Sequence, residues 1–278
     1  MRRFLFCRFF CGFVDYFAYN AHTYRVKKVL GLSLGSGGAK GVAHIGALAA
    51  FSEAGVKFDI VGGTSIGSVM AALYALGYTP REMLMIIKET GFCKTSTFLD
   101  FKFRKKSLKK FLDYAIGDRA FKDLKIPYFC VAADLYSGEQ VVLTEGDLNS
   151  ALAASCAIPP VFSAVEIGGR FLVDGAFLNS VPADVLKQNG ADKVVAIDLS
   201  ADKPMNYAGL KTLNKLFPGN KIVRGFRSLG GYKYADVMLA PDLERYGIMN
   251  LSRGDELYDI GYETVIKNFD LIKEKLSL

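Results

Sequence analysis

Twice within its first 70 residues, the chain places a short apolar run directly before a glycine-rich turn and a helical pattern. The first run covers residues 29–34 and precedes a turn at residues 35–41, and the second covers residues 58–62 and precedes a turn at residues 63–67. Short apolar runs bounded by glycine are typical of buried strands, and glycine lets the backbone turn sharply into a helix. Strands that alternate with helices predict a mostly parallel central sheet sandwiched by helices.

The same alternation continues along the chain. Further strands are predicted at residues 126–133, 140–144, 161–167, 170–173, 193–198 and 234–240. Further helices are predicted at residues 80–90, 148–156, 181–188 and 254–276, the last as one amphipathic terminal helix. The predicted fold class is therefore α/β. We expect an aromatic and basic extension at residues 1–27, an α/β domain at residues 28–200, and an extension at residues 201–278 packed on the same domain.

Composition excludes several classes of protein. The 278 residues are 51% hydrophobic, which excludes an intrinsically disordered chain. No uncharged apolar run reaches about 18 residues, the length that spans a bilayer as a helix, so a polytopic membrane protein is excluded. Five cysteines without a regular spacing favour free thiols in a reducing cytosol over a disulfide framework. Only two histidines and no Cys-x-x-Cys occur, so we expect no metal site.

The formal net charge of +7 is concentrated in two segments. Residues 102–110 hold six basic residues and no acid, and residues 1–21 have a net charge of +2, which leaves −1 for the remainder. Phenylalanines alternate with the basic residues in residues 98–110, as expected for contact with an anionic lipid surface. A solvated helix face with extended lysines is the alternative. Nucleic-acid binding is not expected, because no recognition motif accompanies the charge.

Residues 1–27 leave three interpretations open. Two arginines precede a Phe-rich stretch, as in a secretory signal, but Arg8 interrupts the apolar part and no small-residue cleavage site follows. The stretch is also too short to span a bilayer. The segment is an interfacial anchor, a segment packed on the body, or the result of a wrongly assigned start codon.

A serine in the second glycine turn is the sharpest chemical signal. Residues 63–67 read Gly-Thr-Ser-Ile-Gly, with Ser65 between a predicted strand and a predicted helix. This context is the one that a nucleophile elbow requires, because the sharp turn exposes the hydroxyl at the end of the strand. The first turn, with glycines at positions 35, 37, 38 and 41, could present unpaired N–H groups to a negatively charged oxygen.

Other interpretations of the first turn fit less well. A phosphate-binding Walker A loop needs Lys followed by Ser or Thr, whereas Gly41 follows Lys40. A dinucleotide-binding turn needs a glycine at position 36, where the chain has Ser36, and an acid after the second strand. A tight turn without a ligand is the remaining alternative.

A serine nucleophile needs a base. No histidine follows Ser65, which excludes the Ser, acid, His order of α/β-hydrolases. His44 lies one helical turn beyond Gly41, where it could support the glycine loop. Asp174 is the best candidate base, because it follows an apolar strand and precedes a glycine, although Asp-Gly pairs are also common in ordinary turns.

Taken in order, the glycine loop, the Gly-Thr-Ser-Ile-Gly turn and Asp-Gly-Ala at residues 174–176 resemble the patatin-like phospholipases. The Pro159-Pro160 segment and residues 241–263 are also similar to small bacterial members of that family. The resemblance covers residues 28–200. It implies a three-layer α/β/α fold and a serine lipid acyl hydrolase with a Ser–Asp dyad.

By this resemblance Ser65 is the nucleophile and Asp174 is the base that takes its proton without a histidine. The resemblance assigns the oxyanion hole to the backbone N–H groups of Gly37, Gly38 and Ala39. It assigns a supporting role in the motifs to Lys40, Gly41, Gly63, Gly67 and Gly175. Two positions depart from the family pattern: Ser36 replaces a glycine, and Lys40 stands where arginine is frequent. No metal and no cofactor is implied, so calcium independence is expected.

The implied function is hydrolysis of phospholipid or lysophospholipid esters by a cytoplasmic protein with peripheral membrane contact. A thioesterase or general carboxylesterase with the same dyad is one alternative. A non-catalytic lipid-binding or regulatory protein is the alternative from a different class.

Overall fold

A computed structural model describes residues 28–90, 101–200, 213–219, 221–222, 229–247 and 253–277. The predicted extension at residues 1–27 lies outside the described residues, as do residues 98–100 of the basic stretch and the start of the C-terminal extension at residues 201–212.

In the described part of the chain, eight strands form one central sheet. They are β1 (Leu30–Leu34), β2 (Ile60–Thr64), β3 (Tyr128–Asp134), β4 (Gln140–Leu143), β5 (Val165–Ile167), β6 (Arg170–Asp174), β7 (Lys193–Ile197) and β8 (Val237–Leu239). Pairing runs β5-β6-β3-β2-β1-β7-β8, and β4 also pairs with β3. Strands β3, β2, β1, β7 and β8 are parallel to one another, whereas β4, β5 and β6 form antiparallel pairs at one side. The sheet is therefore mixed, with the expected parallel body.

Helices cover both faces of this sheet. They are α1 (Val42–Glu53), α2 (Ile66–Leu76), α3 (Pro80–Thr90), α4 (Phe101–Ala115), α5 (Leu148–Ser155), α6 (Ala183–Gln188), α7 (Leu229–Tyr234), α8 (Gly254–Lys267) and α9 (Phe269–Leu276). Alternate residues of β1, Leu30, Leu32 and Leu34, share one core with α1 to α5, α8 and α9. Val194 and Ala196 of β7 pack with α6 on the opposite face. The period-two alternation of a strand thus separates two helical layers.

Three predicted elements differ from the structure. The strand predicted at residues 161–167 contains only Val165–Ile167. The predicted terminal helix at residues 254–276 is two helices, because the chain breaks at Asn268, whose side-chain amide donates to the Thr264 carbonyl at 2.8 Å. The burial of Val265 and Ile272 continues across the break, so the apolar pattern did not reveal it.

The strand predicted at residues 234–240 contains only Val237–Leu239, since Tyr234 ends α7.

Helices α1 and α8 cross at close range. A Cβ atom added at Gly46 would lie 1.9 Å from the carbonyl oxygen of Tyr258, and one added at Gly261 would lie 1.9 Å from that of Ala43. The two backbones therefore touch where each helix carries a glycine. This contact anchors the helix that follows the glycine loop.

Candidate active site

Ser65 lies in a strained turn between β2 and α2. Its backbone angles are φ 56° and ψ −130°, in a region that non-glycine residues rarely adopt. A Cβ atom added at Gly67 would lie 2.1 Å from the carbonyl oxygen of Leu34, and one added at Gly63 would lie 2.5 Å from the backbone of Gly67. Both glycines are therefore required by the close packing of β1, β2 and α2 around the turn.

Asp174 reaches Ser65 because two strands meet end to end beside β3. Residues 130–133 of β3 pair with β4 along one side. Along the other side Thr64, the last residue of β2, pairs with Val131, and Asp174, the last residue of β6, pairs with Ala132. The chain leaves β2 at Ser65, and β6 arrives from the opposite direction at the next position of β3. The structure thus brings together two residues separated by 109 positions.

The two side chains form a direct hydrogen bond. The Ser65 hydroxyl donates to Oδ2 of Asp174 at 2.6 Å, and the Ala176 N–H donates to Oδ1 at 2.8 Å. Asp174 is completely buried, whereas 6% of Ser65 is exposed. Burial raises the pKa of the Asp174 carboxyl to about 7, and the hydrogen bonds from Ser65 and Ala176 oppose this rise only in part. A Cβ atom at Gly175 would lie 2.3 Å from the Val131 carbonyl oxygen, so glycine is required here as well.

The Cys156 thiol is close enough to interact with both Ser65 and Asp174. Burial, followed by the charge of Asp174, raises its pKa well above the usual range. The thiol is therefore protonated and adds no charge beside the carboxylate.

The glycine loop joins β1 to a short 3₁₀ turn, Gly38–Gly41, and then to α1. Gly38 has φ 58°, and a Cβ atom at Gly37 would lie 2.8 Å from Cβ of Leu199. Within the described residues, the N–H groups of Gly37, Gly38 and Ala39 donate to no protein acceptor. Ser36 does not adopt a positive φ, so a side chain is tolerated at this departure from the family pattern.

A packing contact holds this loop near the serine turn, and a hydrogen bond fixes the loop itself. A Cβ atom at Gly41 would lie 2.3 Å from Cγ1 of Ile66, the residue after Ser65. His44 Nε2 lies 2.8 Å from the Gly35 carbonyl oxygen, and burial lowers the His44 pKa to about 4, so the neutral ring donates this bond. His44 thus supports the loop, as its position in the sequence suggested. The N–H of Lys40 donates to the Gly37 carbonyl at 3.2 Å, and its side chain is buried.

Two anchors of the serine turn did not emerge from the sequence. The Thr64 hydroxyl donates to the Asn179 carbonyl at 2.8 Å, which ties the turn to the segment after Asp174. The Ser155 hydroxyl accepts the Ser65 N–H at 2.9 Å. The only available signal for Ser155 was a polar residue at the end of a helix of small residues, just before Pro159-Pro160.

Other chemical features lie away from this pair. A cavity of about 410 Å³ lies at the opposite edge of the sheet, where β2 and β3 begin, and is lined by residues such as Ile60, Tyr128 and Phe129. Within the described ranges, no group of three or more His, Cys, Asp or Glu side chains could hold a metal ion. No helix in these ranges is long and apolar enough to cross a membrane.

Comparison with known proteins identifies relatives. A family model described as patatin-like phospholipase matches residues 32–187, more than half of the chain. Neuropathy target esterase sws of Drosophila melanogaster is 28% identical over 272 residues, which cover 84% of this chain and 19% of that protein. Lysophospholipase NTE1 of Meyerozyma guilliermondii is 26% identical over 274 residues, which cover 84% of this chain and 19% of that protein. The chain spans about a fifth of the length of the curated relatives it matches.

The fold has also been seen before. The structure is similar to the crystal structure of VipD from Legionella pneumophila, with a TM-score of 0.53 and 13% sequence identity. The similarity covers 88% of this chain and 67% of that chain. At this identity the likeness concerns the fold alone, and it confirms the expected three-layer architecture.

Proposed function

The chain belongs to the patatin-like phospholipase family, and on that premise we propose that it is a serine acyl hydrolase with Ser65 as nucleophile and Asp174 as general base. The observation that carries this proposal is the 2.6 Å hydrogen bond from the Ser65 hydroxyl to Asp174 in a strained strand-to-helix turn. A nucleophile and a base within hydrogen-bond distance are the minimum arrangement for covalent acyl transfer.

In the first half of the reaction, Asp174 Oδ2 takes the proton of the Ser65 hydroxyl while Oγ attacks the carbonyl carbon of the ester. The resulting oxyanion accepts hydrogen bonds from the N–H groups of Gly37, Gly38 and Ala39. Removal of one such donor typically lowers turnover by about 10²–10³-fold. The intermediate then expels the alcohol, which receives the proton from Asp174, and the acyl group remains on Ser65.

In the second half, the oxygen of a water molecule attacks the acyl-enzyme carbonyl carbon while Asp174 takes a proton from that water. The same N–H groups stabilise the second oxyanion. Collapse of the intermediate releases the carboxylic acid and returns the proton from Asp174 to Ser65 Oγ. A pKa near 7 lets one carboxyl group both accept and return a proton close to neutral pH.

The proposed substrates are phospholipids or lysophospholipids. The names of the relatives support this class, since one is called an esterase and another a lysophospholipase. A thioesterase or carboxylesterase would use the same residues, so only a substrate panel separates these activities.

We further propose that the protein works in the cytoplasm and contacts anionic membranes through residues 98–110. In α4 the apolar face formed by Leu108 and Phe111 is buried, whereas Lys109 and Lys110 are exposed. Lysines on the exposed side of a packed helix can approach lipid phosphates with little rearrangement of the protein. The free, buried thiols of Cys130 and Cys156 support a reducing compartment.

Labelling with a fluorophosphonate tests the enzyme proposal. We expect the wild-type protein and the exposed-serine control Ser52→Ala to be labelled, and Ser65→Ala to stay unlabelled. Release of fatty acid from a panel of phospholipids, lysophospholipids, thioesters and short esters then identifies the substrate class. A folded wild-type protein that is neither labelled nor active would instead favour a non-catalytic lipid-binding protein.

A further inference from the structure

The hydrogen-bond ladder between β2 and β3 changes at its last rung. In a parallel pair, every second residue of one strand sends its N–H to the neighbouring strand. The Val61 N–H donates to the Pro127 carbonyl at 3.1 Å, and the register pairs Val61 with Tyr128. Continued by two residues at a time, the same register would direct the Ser65 N–H to the Val131 carbonyl.

A side chain from another element occupies this rung. The Ser65 N–H donates to Ser155 Oγ at 2.9 Å, and the Ser155 hydroxyl donates to the Val131 carbonyl at 2.7 Å. Ser155 is the last residue of α5 and is completely buried. A hydroxyl has one proton to donate, so its bond to Val131 leaves only acceptor capacity toward Ser65. The hydrogen bonds of this bridge therefore run in one direction, from the Ser65 N–H through the Ser155 hydroxyl to the Val131 carbonyl.

We propose that Ser155 is a positioning residue that separates β2 from β3 at the last rung and thereby sets the geometry between Ser65 and Asp174. With the hydroxyl inserted, the chain leaves the sheet at Ser65 in its strained conformation. The next position of β3, Ala132, is then free to pair with Asp174. Without the bridge, the buried Ser65 N–H and the Val131 carbonyl would face each other and favour closure of the strand pair.

This inference rests on the proposed function, and it predicts an effect on chemistry more than on binding. Ser155 is completely buried and exposes no atom to a bound substrate, so its loss should lower kcat and leave KM within about twofold. Displacement of a reacting group by about 1 Å can cost about 100-fold in rate. The Ser65 hydrogen bond holds the Asp174 pKa down, so a looser bond should also raise that pKa. The other groups facing Asp174 are the Ala176 N–H and the protonated Cys156 thiol.

The test compares Ser155→Ala with Ser155→Thr, which keeps the hydroxyl, and with Ser33→Ala. Ser33 is a suitable control because its hydroxyl is completely buried in β1 and has no hydrogen-bond partner among the described residues. The kcat of each variant is measured per site labelled by a fluorophosphonate, and the pH dependence of kcat/KM is recorded. We expect Ser155→Ala to lose at least about 10-fold in kcat and to shift the acidic limb upward, with partial recovery in Ser155→Thr.

The outcomes distinguish the inference from the function on which it rests. If wild type is active but Ser155→Ala matches Ser33→Ala in kcat per labelled site, the positioning role is overturned and the hydrolase proposal stands. An unmoved acidic limb would also overturn it, because a merely structural role lowers the amount of folded enzyme without changing the Asp174 pKa. An inactive, unlabelled wild type would overturn both.

Discussion

The Asp174 carboxylate is completely buried and accepts a hydrogen bond from the Ser65 hydroxyl at 2.6 Å. Water cannot stabilise the charged form there, so burial dominates and the pKa of Asp174 lies near 7 instead of near its ordinary value of 3.8. The same burial that prepares this group to accept a proton near neutral pH makes its ionised form unfavourable for the fold.

Activity should depend on the ionisation of Asp174. Because the base must be deprotonated to take the proton of Ser65, we expect kcat/KM for a short ester to rise with pH and level off above about 7. Steady-state rates between pH 4 and 9 measure this, with Ser65→Ala as the background. An acidic limb near 4 would contradict the assignment of Asp174 as a buried base.

Replacement of Asp174 should abolish turnover and stabilise the fold at alkaline pH. The pKa is higher in the folded than in the unfolded state, so the contribution of this group to stability is present below 3.8 and is lost as pH rises through about 7. Above that pH the ionised group costs up to about 4 kcal/mol, which Asp174→Asn would recover. Urea unfolding at pH 5 and pH 9 measures the difference.

Asp134→Asn is the control, because its effect on stability at alkaline pH should have the opposite sign. Burial raises its pKa, but N–H donors from Ser137 and Tyr136 outweigh burial, so its pKa is lowered. Asp134→Asn should therefore destabilise the protein at pH 9. Equal effects of the two substitutions would show that the Asp174 carboxylate is not penalised by burial.

The glycine loop should be sensitive at Gly38, which has φ 58°. Gly38→Ala should strain the backbone by about 1–2 kcal/mol and turn the neighbouring N–H groups away from the proposed oxyanion position, so turnover should fall by about 10²-fold. Gly55→Ala is the matched control, since Gly55 has φ 71° with open space around it and lies at the far end of α1. Thermal unfolding should show a similar loss of stability in both variants, whereas the rate of ester hydrolysis should fall only in Gly38→Ala.

The α1–α8 crossing should tolerate no side chain. Alanine at Gly46 or Gly261 would place a methyl group 1.9 Å from a backbone oxygen of the other helix, which forces the helices apart. We expect each substitution to destabilise the protein by about 1–3 kcal/mol in urea unfolding. Gly254→Ala, with nothing within 4 Å at the start of α8, should be neutral or slightly stabilising. Unchanged stability in Gly46→Ala would mean that the helices do not touch.

The basic stretch should bind anionic lipid. Each lysine near such a surface contributes about 1 kcal/mol, so Lys105→Glu/Lys106→Glu should weaken binding to phosphatidylserine vesicles strongly, and added salt should weaken wild-type binding. Lys273→Glu/Lys275→Glu makes the same charge change on α9 and should bind like wild type. Vesicle sedimentation measures both. Equal binding by all three proteins would favour a solvated helix face.

Local patterns in the sequence predicted much of this protein correctly. The Pro80–Thr90 helix matches its prediction, and the predicted strand at residues 170–173 lies within Arg170–Asp174. Such features depend on a few neighbouring residues, so they can be predicted from a short segment of the sequence. The break at Asn268 escaped prediction because the apolar period continues across it.

The sequence by itself determined the family, the glycine turns and the identity of Ser65 and Asp174 as the candidate pair. It could do so because each of these motifs consists of contiguous residues. Only the tertiary structure decided that β2 and β6 end against adjacent residues of β3. It also decided that Ser155 takes the place of a backbone rung and that burial brings the Asp174 pKa to about 7. These properties arise from contacts between segments 24 to 109 residues apart, and no local period or motif encodes how such segments meet.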